Sequence, residues 1–238
     1  LVYASRRNTE ADRAGVPEDI AEAVLHPLPA RAVALVYSPD TAFLVRHAML
    51  VEGERPDVTI VPVPFLPYPG TTNALLGRDE DLLPLVRDYL AHGEARIEQI
   101  AALATTRPVR MEIDPHNVLA MVPYLVPRGP LAEVRGEPTT LASVRGVAAA
   151  HFGAMDALAT AMQSESNGGA DVKSSEYVLW RNYNDAVFYA ARGARPEARN
   201  SLRRAMARAP EAAELLGLRE ALNAPGEGPV EVRPFVVG

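Results

Sequence analysis

Two short turns carry polar side chains that could take part in chemistry. Ser38-Pro39-Asp40-Thr41 directly follows the apolar segment 32–37, and Asp114-Pro115-His116-Asn117 follows the segment 107–113. Asp40 could orient a sugar or bind a cation, and the second turn is the best additional contributor to any pocket beside it. We therefore treat four residues as candidate ligand-binding residues: Asp40, Thr41, His116 and Asn117.

The segment 32–66 is expected to position the first turn. It reads as a strand, a helix and a second strand, which together have the length of a βαβ unit. Residues 32–37 are almost uninterruptedly apolar, as is typical of a parallel strand covered on both faces. Ser38 is suited to cap the following helix and Pro39 to open it. Because ligands bind beyond the carboxyl ends of parallel strands, both turns belong to that edge of the sheet.

Each turn also has a purely structural explanation. A carboxylate such as Asp40 in the first turn of a helix is stabilised by the helix dipole by about 0.3–1 kcal/mol. Asp, Pro and Asn are common in turns whether or not a ligand is bound. Both interpretations stay open on the sequence alone.

The helix after Ser38 is predicted to bury one stripe of residues at helical spacing. This stripe consists of Phe43, Leu44, His47, Leu50 and Val51. Closely spaced prolines then predict an extended loop over 62–79. Residues 81–103 predict a helical region broken near Gly93.

The segment 107–113 alternates apolar and charged residues, which predicts a third strand at an edge of the sheet. Residues 124–134 then predict a strand, a turn and another strand. This order predicts the α/β class, with a three-layer, Rossmann-like domain and a short parallel sheet over residues 1–138.

Residues 139–238 predict an all-α domain with an extended C-terminal tail. Its central part resembles a tetratricopeptide repeat. The matching residues are Ala186, Tyr189, Gly193, Ala198, Leu202, Ala205 and Pro210. Asn182 and Asp185 stand where that repeat has large apolar residues, and a stable solenoid needs about three repeats. A helical pair packed on the α/β domain and a partner-binding surface both stay open, the latter with three candidate residues: Trp180, Tyr183 and Tyr189.

A larger resemblance covers residues 15–135. Residues 28–66 read LPARAVALVYSPDTAFLVRHAMLVEGERPDVTIVPVPFL, followed later by RPVRMEI and YLVPRGPLAEV. These elements resemble the soluble C-terminal region of a family of polytopic membrane proteins. That family includes the animal enzyme that O-mannosylates receptor immunoglobulin-like domains. In the family the turn after the first strand is richer in Asn, Asp and Gly than Ser38-Pro39-Asp40, so no ligand role is carried over to it.

The resemblance implies that catalysis belongs to a membrane part that looks like a lipid-sugar-dependent glycosyltransferase. The chain would then be a non-catalytic accessory domain on the extracytoplasmic, periplasmic side, tethered to the membrane through the parent protein. Its expected partner is an acceptor polypeptide or another protein. The first residue is not Met, so we expect a fragment of a longer protein, and no catalytic residue is carried over.

Composition and motifs exclude several other classes. The net charge of −6 argues against a nucleic-acid surface, and the absence of cysteine excludes thiolate metal sites. No two histidines have the i,i+4 spacing of a helical metal site, and no glycine-rich phosphate loop follows the first strand. We therefore predict neither a metal nor a cofactor. Two alternatives remain: a soluble small-molecule enzyme with its site at the carboxyl edge of the sheet, and a tetratricopeptide-like interaction scaffold.

Overall fold

A mixed β-sheet forms the centre of the computed structural model, which describes residues 15–113, 119–165, 172–226 and 228–230. The strands in these residues are β1 (Val33–Val36), β2 (Thr59–Pro62), β3 (Val109–Met111), β4 (Leu125–Arg128) and β5 (Leu131–Val134). The α-helices are α1 (Gly15–Leu25), α2 (Pro39–His47), α3 (Pro69–Arg78), α4 (Leu83–His92), α5 (Ile97–Thr106), α6 (Leu141–Glu165), α7 (Val172–Ala191), α8 (Arg195–Met206) and α9 (Ala213–Asn223). The fold is therefore mixed α/β, as the sequence predicts.

The strand order is β2-β1-β3-β5-β4. β1 pairs in parallel with both β2 and β3, whereas β5 pairs antiparallel with β3 and β4. The tight turn between β4 and β5 contains Gly129 at φ +82°, a conformation that suits glycine. The predicted strand-turn-strand of residues 124–134 is confirmed as this hairpin.

Both faces of the sheet are covered. Along β1, Val33 and Leu35 belong to one apolar core, and Ala34 and Val36 belong to the other. All four side chains are fully buried. This is the alternation that a pleated strand gives when both faces pack against other elements, so the uninterrupted apolar sequence of β1 is explained.

The connections around β1 lie on opposite faces. α2 joins β1 to β2 and packs in the core that contains Ala34. α3, α4 and α5 lead from β2 past β1 to β3, and they pack in the core that contains Leu35. The strand order therefore reverses at β1, which has β2 on one side and β3 on the other, and this makes the crevice between β1 and β3 a topological switch point.

The predicted buried stripe of α2 is wrong except at Leu44, which is partly buried and packs against the core that contains Ala34. Phe43, Leu50 and Val51 are more than three-fifths exposed, and the His47 side chain is 64% exposed. The buried residues of this region are instead Thr41, Ala42, Val45 and Ala48. Small residues on the sheet side let the helix approach the sheet closely, and that packing outweighs the larger but exposed apolar side chains.

Two further predictions about the first half are wrong. β3 lies inside the sheet between β1 and β5, not at an edge. Its charged residue Arg110 is accommodated by an ion pair to Glu133 on β5, with 3.0 Å between Nη1 and Oε2. The predicted loop over 62–79 contains α3, because Pro69 stands in the first turn of the helix, where its missing N–H costs nothing.

The C-terminal helices extend one of the two cores. Buried residues of α7, α8 and α9, such as Phe188, Leu202 and Leu218, belong to the same apolar cluster as Leu35 and Met111. The division at residue 138 into an α/β and a helical domain stays a prediction, and this core runs across it. None of the helices in the described ranges combines the length and the apolar character needed to cross a bilayer.

Gly193 in the turn between α7 and α8 gives a test of this packing. It has φ +74°, and an added Cβ would lie 3.1 Å from the carbonyl carbon of Gly228. We expect Gly193→Ala to lower the free energy of unfolding by about 1–3 kcal/mol, because the new side chain would be strained at positive φ and would meet backbone.

The matched control is Gly217→Ala in α9, where an added Cβ meets nothing within 4 Å. This substitution is expected to raise the free energy of unfolding by about 0.5–1 kcal/mol. Urea unfolding followed by circular dichroism measures both variants. Equal stability of the two would contradict the close approach of the 193 turn to residue 228.

Candidate functional site

A cavity of about 320 Å³ lies at the switch point. Three segments that are distant in sequence meet there: the end of β1, the end of β3 and one side of α7. The lining residues are Tyr37, Ser38, Asp40, Glu112, Ile113, Glu176, Tyr177, Trp180, Arg181 and Asn184. The cavity therefore occupies the position where open α/β sheets bind ligands.

Glu112 joins the ends of β1 and β3. Its Oε2 accepts hydrogen bonds from the backbone N–H groups of Tyr37 at 2.6 Å and Ser38 at 2.7 Å. Only 3% of the residue is exposed. The carboxylate thus binds the strand-end amides that remain free for a ligand in many α/β folds.

The remaining donors of this turn are also largely engaged. The Thr41 amide donates to the Ser38 hydroxyl at 3.3 Å, and the Ala42 amide donates to the Ser38 carbonyl at 3.0 Å. Pro39 has no N–H to offer. The start of α2 is therefore capped by the Ser38 hydroxyl, and the negative charge of Asp40 lies in its first turn.

Burial raises the pKa of the Glu112 carboxyl above its ordinary value, because the charged form loses hydration. The positive charge of Arg181, the two backbone amides and the Thr41 hydroxyl act in the opposite direction but do not cancel this effect. Glu112 consequently holds its proton more strongly in the folded chain than in the unfolded chain.

Arg181 is the buried cation of the cavity wall. The residue is 4% exposed, and its Nη2 donates to the carbonyl oxygen of Pro130 in the β4–β5 turn. Its Nε is buried without a hydrogen-bond partner in the described part of the chain. Arg192 Nε and Arg204 Nη1 are buried without a partner in the same way, and what distinguishes Arg181 is that it lines the cavity.

The buried side chains of His151 and Asp185 hold α7 in place next to the cavity. The Gly129 amide donates to His151 Nδ1 at 3.0 Å, so the imidazole proton lies on Nε2 and faces Asp185 Oδ2 at 2.9 Å. Both side chains are almost completely buried. Since both imidazole nitrogens are engaged inside the protein, we assign this pair to holding α6, α7 and the β4–β5 turn together.

Aromatic side chains form the α7 side of the cavity. Trp180 is 41% exposed and packs edge-on against Tyr183, with 5.8 Å between ring centroids. Burial raises the pKa of Tyr177 to about 12, so its hydroxyl keeps its proton at neutral pH. Two exposed carboxylates, Asp40 and Glu176, lie at the rim of the same cavity.

The predicted site residues have different locations. Asp40 lines the cavity and Thr41 is buried beside it. His116 and Asn117 lie outside the described residues, although the chain that leads to them leaves β3 at this same edge. Trp180 also lines the cavity, whereas Tyr183 and Tyr189 are 5% and 0% exposed and belong to the core. The predicted partner-binding surface therefore rests on Trp180 alone.

Sequence reasoning missed Glu112 and Arg181. The alternation of 107–113 made Glu112 look like a solvent-facing residue of an edge strand. The available signal was its place directly after β3, at the same edge of the sheet as Ser38 and Asp40. No comparable signal existed for Arg181, because arginine is abundant in this chain and its partners come from distant segments.

No family model, no curated protein and no solved structure matches this chain. Within the ranges that the structure describes, no group of three or more His, Asp or Glu side chains is arranged to hold a metal ion.

The raised pKa of Glu112 predicts a particular dependence of stability on pH. Because the pKa is higher in the folded chain, protonated Glu112 contributes to the free energy of unfolding. This contribution is present in full below the ordinary pKa of 4.5 and is lost as the pH rises through the pKa of the folded chain. Glu112→Gln cannot ionise. We therefore expect the free energy of unfolding of the parent chain, minus that of Glu112→Gln, to fall as the pH rises above 4.5.

Glu133→Gln is the matched control with the opposite sign. Burial opposes ionisation of Glu133, but the hydrogen bond and the charge of Arg110, with the charge of Arg135, lower its pKa below 4.5. The free energy of unfolding of the parent chain, minus that of Glu133→Gln, should therefore be largest above pH 4.5 and shrink as the pH falls. Denaturant unfolding at a series of pH values measures both. The same sign for the two variants would contradict the assignment of Glu112.

Proposed function

We propose that this chain is a non-catalytic accessory domain that binds an acceptor or partner polypeptide in the switch-point cavity. In this proposal it lies on the extracytoplasmic side of a membrane glycosyltransferase-like protein, whose membrane part carries out the reaction. The sequence resemblance of residues 15–135 motivates the identity of the parent protein. The cavity motivates the binding role.

One observation carries the proposal. The cavity lies at the ligand-binding position of the sheet, but its most buried acid, Glu112, is tied by two hydrogen bonds to the backbone of Tyr37 and Ser38. A carboxylate held in this way organises the site and is poorly placed to exchange protons with a substrate. The accessible groups are those of the rim: Asp40, Glu176 and Trp180.

We further propose that the α/β part is Rossmann-like and that α7 and α8 form a tetratricopeptide-like pair. Supporting the second point, the contact between these helices contains small buried residues, Ala186, Ala190 and Ala198, beside Tyr189. Small residues allow two antiparallel helices to approach closely. The pair packs on the sheet, so an interaction scaffold would use its outer surface.

A small-molecule enzyme is the second candidate. The observation that favours it is the raised pKa of the Glu112 carboxyl, since catalytic acids are often found as buried carboxyls with raised pKa in clefts. In such an enzyme Glu112 would act as the acid, and Asp40 would bind the substrate at the rim.

The two candidates differ in turnover and in binding. The purified chain is assayed for sugar transfer from a lipid-linked donor to peptides, for hydrolysis of nitrophenyl glycosides, and for binding to an array of random-sequence decapeptides. We expect no turnover, together with peptide binding that is lost in Trp180→Ala. Leu90→Ala is the matched control, because Leu90 is an exposed apolar residue, 54% exposed, that is not part of the cavity.

Two outcomes would contradict the proposal. One is turnover that falls by roughly 100-fold or more in both Glu112→Gln and Asp40→Ala, the size expected for loss of acid–base catalysis. The other is peptide binding that Trp180→Ala and Leu90→Ala affect equally, since the bound segment would then lie away from the cavity.

A further inference from the structure

We infer that the switch-point cavity recognises the cationic side chain of a basic residue, Lys or Arg, in an extended polypeptide. This inference rests on the proposed function and specifies the chemistry of its ligand. It follows from which polar groups of the cavity are already satisfied and which remain available at the rim.

The cavity offers poor binding to anionic ligands. Phosphates and carboxylates bind at a strand–helix turn through free backbone amides and the positive end of the helix dipole. Here the Tyr37 and Ser38 amides donate to Glu112, and the Thr41 amide donates to Ser38 Oγ. Glu112 Oε2 thus occupies the place of a ligand anion, and the Asp40 carboxylate lies at the helix start. A nucleotide or sugar phosphate would find few free donors and a repulsive field.

The rim has the composition of a cation site. Asp40 and Glu176 are both exposed carboxylates that line the cavity, and they come from opposite walls, α2 and α7. Trp180 lies on α7 one helical turn after Glu176 and lines the same cavity, and its indole is the best aromatic partner for an ammonium or a guanidinium. Its 41% exposure leaves part of the ring open to a ligand. Charge and aromatic surface therefore select the same class of ligand.

Arg181 limits how a cation can bind. Its own charge would repel a cation that entered the buried end of the cavity, so the bound charge belongs at the rim. Arg181 Nε, buried without a partner in the described residues, provides an unused donor. An acceptor oxygen on the ligand would complete it, and the main-chain carbonyl of a peptide supplies one. A basic residue within a polypeptide offers both groups, whereas a simple amine offers only the charge.

Trp180 reports binding directly, because it is the only tryptophan in the chain. The probes are N-acetyl-lysine methylamide, its uncharged counterpart N-acetyl-norleucine methylamide, n-butylammonium and methyl α-mannoside, titrated at low ionic strength. We expect the lysine derivative to change the emission saturably and to bind roughly tenfold more tightly than norleucine, within the range for an ammonium over an indole face. It should also bind more tightly than n-butylammonium.

Charge-removing variants locate the site. Asp40→Asn and Glu176→Gln should each weaken binding of the lysine derivative by roughly two- to fivefold, the effect of one exposed charge pair. Glu220→Gln removes an exposed carboxylate on α9, outside the cavity, and should leave the affinity unchanged.

Each remaining outcome has a definite meaning. Equal binding of the lysine and norleucine derivatives, or preferential binding of methyl α-mannoside, would overturn the inference while leaving the cavity as a binding site. Equal binding of n-butylammonium and the lysine derivative would overturn the polypeptide part. No emission change with any probe, combined with an inert peptide array, would overturn the proposed function as well.

Discussion

The buried carboxylate of Glu112 is the constraint on which the rest of the site depends. Glu112 accepts hydrogen bonds from two backbone amides at the end of β1, so these amides are not available to a ligand at the switch point. In an open α/β sheet those amides would otherwise attract an anion. The protein fills that position with a carboxyl oxygen of its own, Glu112 Oε2, and leaves a cavity whose accessible groups are acidic and aromatic. In our proposal the same position in the fold therefore has the opposite ligand preference, for a cation.

The second requirement is that α7 stays in place over the crevice, and buried polar contacts meet it. Asn184 Nδ2 donates to the Ile113 carbonyl at 2.9 Å, directly beyond Glu112. Arg181 donates a hydrogen bond to the Pro130 carbonyl in the β4–β5 turn. His151 accepts a hydrogen bond from the Gly129 amide of the same turn and is hydrogen-bonded to Asp185. Such contacts are directional, so they fix the position of α7 more narrowly than apolar packing alone. The helical part thereby becomes one wall of the site.

The sequence predicted the α/β class, the β1–α2–β2 unit and the location of Asp40, because these depend on local apolar patterns and on cap chemistry. It mispredicted the buried face of α2 and the position of β3. Both features depend on which helices and strands pack against each other. The size and alternation of side chains along one segment do not determine this packing. Glu112 illustrates the difference: its charge suggested exposure, whereas its partners are the amides of Tyr37 and Ser38, distant in sequence. Trp180 was predicted for a helical surface, and it lies on the side of α7 that lines the cavity.

Amide hydrogen exchange of Tyr37 and Ser38, measured by NMR in the parent chain and in Glu112→Ala, tests the central claim most directly. If Glu112 fills the anion position, both amides are protected in the parent chain, lose protection in Glu112→Ala, and respond to inorganic phosphate only in that variant. Unprotected amides in the parent chain, or phosphate-dependent shifts of their signals with Glu112 present, would contradict the account.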